Sequence, residues 1–191
     1  MYHCSENLTS ATFLGLIDDL NFDDLLKALY DKEGATVSTD LSRWNLDTPG
    51  YSDIHKLWID AKFNNNAIQW TNYYPVSHFE SKIIDEVASY LKLQKVHRAW
   101  VSRIDPGYYA PWHWDVDDNE EEYAKEGPIS RYTITLESSK LGHILILGND
   151  YLFNLPSNAI YKWNNHREWH AGINAGLNPT FMLHIVALSR A

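Results

Sequence analysis

Residues 131–155, RYTITLESSKLGHILILGNDYLFNL, contain three short segments rich in β-branched, aromatic and other apolar residues. Stretches of Ser, Gly, Asn and Asp, which are typical of turns, separate the segments. In the first segment apolar and polar residues alternate, as expected of a strand with one buried and one polar face. The stretch therefore predicts short antiparallel β-strands joined by tight turns.

The same pattern extends outward from this stretch, from about residue 95 to the carboxyl end, and the sequence before it has helical apolar spacing. About seven or eight short strands at nearly regular spacing favour a β-sandwich or barrel over a parallel α/β sheet. We predict a mostly β fold with flanking helices (α+β) and a jelly-roll core. Residues 1–191 form one domain in this prediction, with a mainly helical part at 1–94 and the β core at 95–191. The other predicted strands are HRAWVSRI (97–104), AIYKW (159–163), REWHAGI (167–173) and TFMLHIVAL (180–188), and the predicted helices are NFDDLLKALYDKEG (21–34), YSDIHKLWIDAKF (51–63) and SHFESKIIDEVASYLKL (77–93).

Composition excludes several classes of protein. Of the 191 residues, 45% are hydrophobic and 21% are charged, which is ordinary for a globular chain. The net charge of −9 argues against a nucleic-acid partner, and the single cysteine, Cys4, excludes an internal disulfide and a cysteine-built zinc site. No stretch reaches the ~20 apolar residues of a membrane span, and MYHCSENLTS does not resemble a signal peptide. We therefore expect a cytoplasmic protein with no membrane partner.

The segment APWHWDVDDNEEE, residues 110–122, suggests half of a metal site. Residues two apart on a strand point to the same face, so His113 and Asp115 point together and Trp112 and Trp114 point the other way. One imidazole and one carboxylate are two of the three ligands of the facial triad that holds non-haem Fe(II). An isolated H-x-D pair is common, so the prediction needs a second histidine from a distant strand.

The segment WNNHREWHAGIN, residues 163–174, offers His166 and His170 as that ligand. Four residues along a strand span about 13 Å, so both histidines cannot reach one ion from a regular strand. His170 lies in the alternating segment, whereas His166 follows two asparagines that are typical of a turn. We predict His113, Asp115 and His170 as metal ligands and His166 as an exposed loop residue.

Four elements taken together resemble the Fe(II)- and 2-oxoglutarate-dependent dioxygenases of the aspartyl/asparaginyl β-hydroxylase group. They are RIDPGYYAPWHWD, RYTITL, GHILILG and WHAGIN, and the resemblance covers about half of the chain. It implies a double-stranded β-helix in which His113, Asp115 and His170 hold Fe(II), which then binds 2-oxoglutarate and O2. The implied reaction hydroxylates a small-molecule or peptide substrate, an amino acid or a peptidyl residue of the Asp/Asn type, and produces succinate and CO2.

The resemblance also implies which residues contact 2-oxoglutarate. Ser102, Arg131 and Thr133 match positions that touch the co-substrate in this group. Its far carboxylate needs a cationic, hydrogen-bonding anchor, which members of the group often supply as an arginine about ten residues after the distal histidine. Thr180 stands there in this chain. We predict Arg131, on the polar face of RYTITL, as the anchor and His184, on the last strand, as a further donor.

Two alternatives remain open at this point. A cupin-like metal enzyme that does not use 2-oxoglutarate is favoured by Thr180. A non-enzymatic jelly-roll binding module would not require the three predicted ligands to converge. The acidic residues 117–122 lack the spacing of a calcium loop, so we predict a solvated loop beside the pocket.

Overall fold

The computed structural model of the chain describes residues 8–17, 20–31, 51–62, 67–68, 71–73, 78–115, 120–163 and 168–189. Strands dominate these ranges after residue 95, as the sequence predicts. The elements, in chain order, are β1 (Thr12–Leu16), α1 (Asp23–Asp31), α2 (Tyr51–Asp60), β2 (Thr71–Tyr73), α3 (His78–Tyr90), β3 (Lys95–Ile104), β4 (Tyr109–His113), α4 (Glu120–Glu126), β5 (Ile129–Thr135), β6 (His143–Leu147), β7 (Asp150–Leu152), β8 (Ala159–Trp163), β9 (His170–Asn174) and β10 (Thr180–Leu188).

The strands form two antiparallel sheets. The six-stranded sheet has the order β1-β8-β5-β10-β3-β2, and the four-stranded sheet has the order β4-β9-β6-β7. Side chains of the two sheets meet in a shared core, where Trp163 and Met182 of the larger sheet pack with Leu145 and Leu147 of the smaller one. This is a jelly roll with a double-stranded β-helix core, and the predicted fold class is confirmed.

The helices α1 and α3 cover the outer face of the six-stranded sheet. On α3, the helical spacing of Ile83, Ile84 and Val87 places all three on one face, and all three are buried. These side chains share a core with Leu183 and Ile185 of β10, whose alternate residues face the smaller sheet instead. Because both faces of β10 are covered, its sequence is almost continuously apolar. Within the described ranges, no helix is long and apolar enough to cross a bilayer.

The amino-terminal end of α1 is capped by Asn21, the first residue of the predicted helix 21–34. Asn21 Oδ1 accepts a hydrogen bond of 2.7 Å from the backbone N–H of Asp23, which is the bond of a helix cap. Asp23 and Asp24 lie in the first turn, where negative charge interacts favourably with the helix dipole. Gly34, where the first predicted helix ends, and Ser77, where the third begins, lie outside the described residues.

The structure differs from the sequence-based expectation in two places. The strands β1 and β2 extend the six-stranded sheet at both edges, by pairing with β8 and β3, although no strand is predicted before residue 95. The β1 sequence TFLGL has no alternating burial, since Phe13, Leu14 and Leu16 are all exposed. Its place is set by pairing with β8 and not by a buried face, so the periodicity of the sequence does not reveal it.

The second difference concerns the acidic residues after Asp115, for which a solvated loop was the prediction. Residues Glu120–Glu126 form the helix α4. Tertiary contacts with β3 hold this helix, since Tyr123 stacks on His97 with ring centroids 4.1 Å apart and Lys95 Nζ donates to the Glu126 carboxylate at 2.8 Å. Asp117 and Asp118 lie outside the described residues.

Two leucines near the end of the chain test the packing between the helices and the six-stranded sheet. Leu183 is fully buried and Leu177 is 93% exposed. We expect Leu183→Ala to lower the free energy of unfolding by about 2–5 kcal/mol because it leaves a cavity, and Leu177→Ala to change it by less than about 0.5 kcal/mol. Urea denaturation measures both. Equal, small losses of the free energy of unfolding in both variants would contradict close packing between the helices and the six-stranded sheet.

Candidate metal centre

The register between β4 and β9 brings two histidines side by side. Tyr109 pairs with Ile173 and His113 with His170, with an irregularity in the register between Ala110 and His113. The two imidazole ring centroids lie 4.0 Å apart. Asp115 follows two residues after the end of β4, and its carboxylate faces both rings. One ligand atom from each of the three side chains lies within 4.8 Å of the other two. The structure therefore brings all three predicted ligands together.

Backbone carbonyl groups orient both imidazoles. His113 Nδ1 is 2.5 Å from the Pro111 carbonyl oxygen, and His170 Nδ1 is 3.0 Å from the Glu168 carbonyl oxygen. Because a carbonyl oxygen only accepts, each neutral ring carries its proton on Nδ1 and presents the lone pair of Nε2. These Nε2 atoms lie 3.7 and 3.8 Å from the oxygens of Asp115. Two imidazole lone pairs facing one carboxylate form a donor set that fits a divalent metal ion.

The protonation states of the three side chains also favour binding of a cation. Burial lowers the pKa of His113 to about 3, with the neighbouring His170 acting in the same direction, and burial lowers the pKa of His170 to about 4. Burial alone raises the pKa of Asp115, but Arg131 and the two imidazoles outweigh it and hold this pKa well below its usual range. At neutral pH the site therefore has two neutral imidazoles and one carboxylate, the protonation state that metal binding requires.

Arg131 lies at the centre of the site. Its buried guanidinium donates from Nη1 to Asp115 Oδ2 at 2.5 Å and lies over the Trp163 ring, 5.6 Å from the centroid. Among the described residues, its Nε has no hydrogen-bond partner. A buried guanidinium donor of this kind is well matched to a carboxylate oxygen. The residue predicted as the co-substrate anchor thus also holds a predicted metal ligand.

Ser102, Thr133 and His184, the other residues predicted to contact the co-substrate, share one hydrogen-bond network. Ser102 Oγ is 2.8 Å from His184 Nε2, and Thr133 Oγ1 is 3.2 Å from His184 Nδ1. Trp163 Nε1 donates to Thr133 Oγ1 at 2.8 Å, which adds the indole to this network. Side-chain hydrogen bonds thus link all three predicted residues to one another and to Trp163.

Trp58 is a site residue that the sequence did not identify. In the sequence it is one of the apolar residues of the predicted helix 51–63. In the structure its buried ring lies edge-on to His113, with centroids 6.4 Å apart, and its Nε1 donates to the Trp112 carbonyl oxygen at 2.9 Å. No local pattern distinguishes such a residue from an ordinary core tryptophan. The helix α2 therefore borders the candidate metal centre.

The remaining predicted positions are placed as follows. Trp112 and Trp114 both contact Trp169, with centroid distances of 6.1 and 4.4 Å, and this tryptophan cluster does not include the ligand side chains. Thr180 begins β10 opposite Ile104, four residues before His184. His166 lies outside the described residues.

The fold and the site together define a jelly-roll protein with a candidate His–Asp–His metal centre. No protein-family model matches the sequence, and no curated protein matches it. Among solved structures, the chain is similar to a viral collagen prolyl hydroxylase from Paramecium bursaria Chlorella virus-1. The two share 14% identity with a TM-score of 0.46, over 72% of this chain and 89% of the hydroxylase.

Two further structures show the range of the similarity. An oxidoreductase of the 2OG-Fe(II) oxygenase family from Burkholderia pseudomallei has 10% identity and a TM-score of 0.42, over 64% of this chain and 68% of that one. A cupin domain from Bordetella pertussis has 10% identity and a TM-score of 0.38, over 63% of this chain and 94% of that one. Similarities this distant carry no conclusion about activity, which has to be argued from the site.

The pH dependence of stability tests the burial of His184. Burial lowers its pKa from 6.5 to about 4, with Arg131 and His113 acting in the same direction and Asp115 opposing them. Neutral His184 therefore contributes stability that is fully present above pH 6.5 and is lost as the pH falls towards 4. Between pH 7 and pH 4, we expect the wild type to lose on the order of 2–3 kcal/mol more free energy of unfolding than His184→Gln. Urea denaturation across this range measures the difference, and parallel curves would contradict it.

Proposed function

We propose that this chain is an Fe(II)- and 2-oxoglutarate-dependent dioxygenase that hydroxylates an amino acid or a peptidyl residue of the Asp/Asn type. The observation that carries the proposal is the convergence of His113, Asp115 and His170, with both Nε2 lone pairs directed at the carboxylate. Two imidazoles and one carboxylate occupy one face of an octahedral ion. The opposite face is then available to the co-substrate and O2.

Charge balance supports a dianionic co-substrate. The charges of the partly buried Asp115 carboxylate and the buried Arg131 guanidinium cancel, so a divalent metal would leave two uncompensated positive charges. Uncompensated charge in a buried site is costly. A dicarboxylate such as 2-oxoglutarate removes that cost, because its two negative charges match the excess.

The hydrogen-bonding groups near the metal ligands support the same co-substrate. Arg131 has the Nε donor described above, and Ser102, Thr133 and His184 contribute hydroxyl and imidazole groups from one hydrogen-bond network. Together they form a cationic, hydrogen-bonding anchor for a carboxylate. We infer that this set replaces the arginine that Thr180 does not supply.

The protein residues have separate tasks in the proposed reaction. When bound, iron and 2-oxoglutarate supply the oxidising chemistry, in which 2-oxoglutarate is converted to succinate and CO2. The carbonyl groups of Pro111 and Glu168 hold the two imidazoles in the ligand tautomer. Trp163, whose ring centroid is 4.5 Å from that of His170, and Trp58 on the side of His113 limit access of water to the ligands.

An anaerobic titration of the metal-free protein tests the proposal. We expect Fe(II) to bind and the addition of 2-oxoglutarate to produce a visible charge-transfer band, because the keto acid chelates the ion. His170→Ala is the matched control, which should show neither. Iron binding without the band would favour the second candidate, a cupin-like enzyme that does not use 2-oxoglutarate. Failure of the wild type to bind iron would favour the non-enzymatic binding module.

Ser102→Ala tests the co-substrate anchor separately from the metal. Loss of one hydrogen bond to a carboxylate should raise the dissociation constant of 2-oxoglutarate by about 5- to 10-fold, with the affinity for Fe(II) unchanged. Titration of the charge-transfer band measures both constants. Ser138→Ala is the control, since the Ser138 hydroxyl accepts an exposed hydrogen bond from the Ser157 N–H and does not take part in the Ser102–His184–Thr133 network. If Ser102→Ala leaves the dissociation constant of 2-oxoglutarate unchanged, Ser102 is not part of the anchor.

A further inference from the structure

Glu168 connects the metal ligand His170 to the amino-terminal part of the chain. Its backbone carbonyl accepts the hydrogen bond from His170 Nδ1 at 3.0 Å. Its carboxylate, which is buried, accepts from the backbone N–H of Thr9 at 3.1 Å and from the Thr9 hydroxyl. One residue thus orients a predicted ligand with its backbone and binds a residue 159 positions away with its side chain.

The segment around Thr9 is held firmly against the turn between β6 and β7. Asn149 donates from its backbone N–H to the Thr9 carbonyl at 3.2 Å and from Nδ2 to the Leu8 carbonyl at 2.8 Å. The Ala11 N–H donates to Asp150 Oδ2 at 2.7 Å. These bonds fix the position of Thr9 independently of its contact with Glu168. Thr9 therefore holds the Glu168 carboxylate from a fixed position.

Gly148 completes this arrangement. It has a φ of +55°, and a Cβ atom there would lie 1.8 Å from the Thr9 carbonyl oxygen and 3.1 Å from Glu168 Cδ, so only glycine fits. The Gly148 N–H donates to the Trp169 carbonyl oxygen at 2.8 Å. The backbone leading into His170 is thus held at Trp169 by the β6–β7 turn and at Glu168 by Thr9.

We propose that Thr9 and Glu168 are positioning residues of the metal centre, which hold the Glu168 carbonyl where it orients the His170 ring. The inference rests on the proposed metal-binding function of His170. A buried carboxylate that loses one of its hydrogen-bond donors moves towards water, and the attached backbone carbonyl moves with it. The hydrogen bond that directs His170 Nε2 at the metal position then weakens. Mutation of a residue that helps to orient a metal ligand in this way typically lowers the metal affinity 10- to 100-fold.

Titration of the metal-free full-length protein with Co(II), followed by its visible absorption, tests the inference. Thr9→Val keeps the shape and the backbone N–H but removes the hydroxyl donor, and Thr9→Ser keeps the donor. We expect Thr9→Val to raise the dissociation constant of Co(II) about 10-fold and to alter the shape of the visible band. Thr9→Ser should behave as the wild type in both respects.

A control variant separates positioning from a general loss of stability. Leu29→Val removes a methylene from the buried face of α1, in the core cluster against the six-stranded sheet. It should lower the melting temperature and leave the Co(II) affinity and spectrum unchanged. A wild-type dissociation constant and spectrum in Thr9→Val, whatever its melting temperature, would overturn the inference. If the wild type itself does not bind Co(II), the proposed function fails and the positioning role fails with it.

Discussion

The antiparallel pairing of β4 with β9 is the constraint on which the candidate site depends. It places His113 opposite His170 and brings the two rings to 4.0 Å. Because side chains alternate between the faces of a strand, a slip of one residue would turn one imidazole towards the tryptophans on the other face. The carboxylate of Asp115 would then face a single histidine. The number of candidate ligands that face one another is thus a consequence of the strand register, which hydrogen bonds hold throughout the four-stranded sheet.

One face of the six-stranded sheet packs against the helices, and the other faces the candidate site. On β10, Leu183 and Ile185 face the helices and contribute to the main core. His184, between them, faces the site, where it bonds Ser102 and Thr133. Burial keeps this imidazole neutral, as it does the two ligand imidazoles, because desolvation disfavours the charged form. The same close packing that stabilises the fold therefore also sets the protonation states of the site.

The amino-terminal part of the chain contributes to the site as well as to the core. Trp58 on α2 contacts His113 and the backbone beside it, and Thr9 contacts Glu168, which orients His170. Each predicted histidine ligand thus has a neighbour from before residue 95. In the single-domain prediction a mainly helical part, residues 1–94, packs on the β core, and the helices α1 and α3 pack on the six-stranded sheet in the structure. Residues from both parts of the chain therefore contribute contacts to the candidate metal centre.

Local patterns in the sequence determined the strands from β3 onward, the three main helices and the shared face of His113 and Asp115, because periods of 2 and 3.6 residues reveal buried faces directly. They also selected His170, which lies in an alternating segment. Only the tertiary structure decided that Arg131 binds Asp115, that β1 and β2 join the sheet, and that Thr9 holds Glu168. Those contacts join residues from 16 to 159 positions apart, and no short-range periodicity encodes which distant side chain will be adjacent.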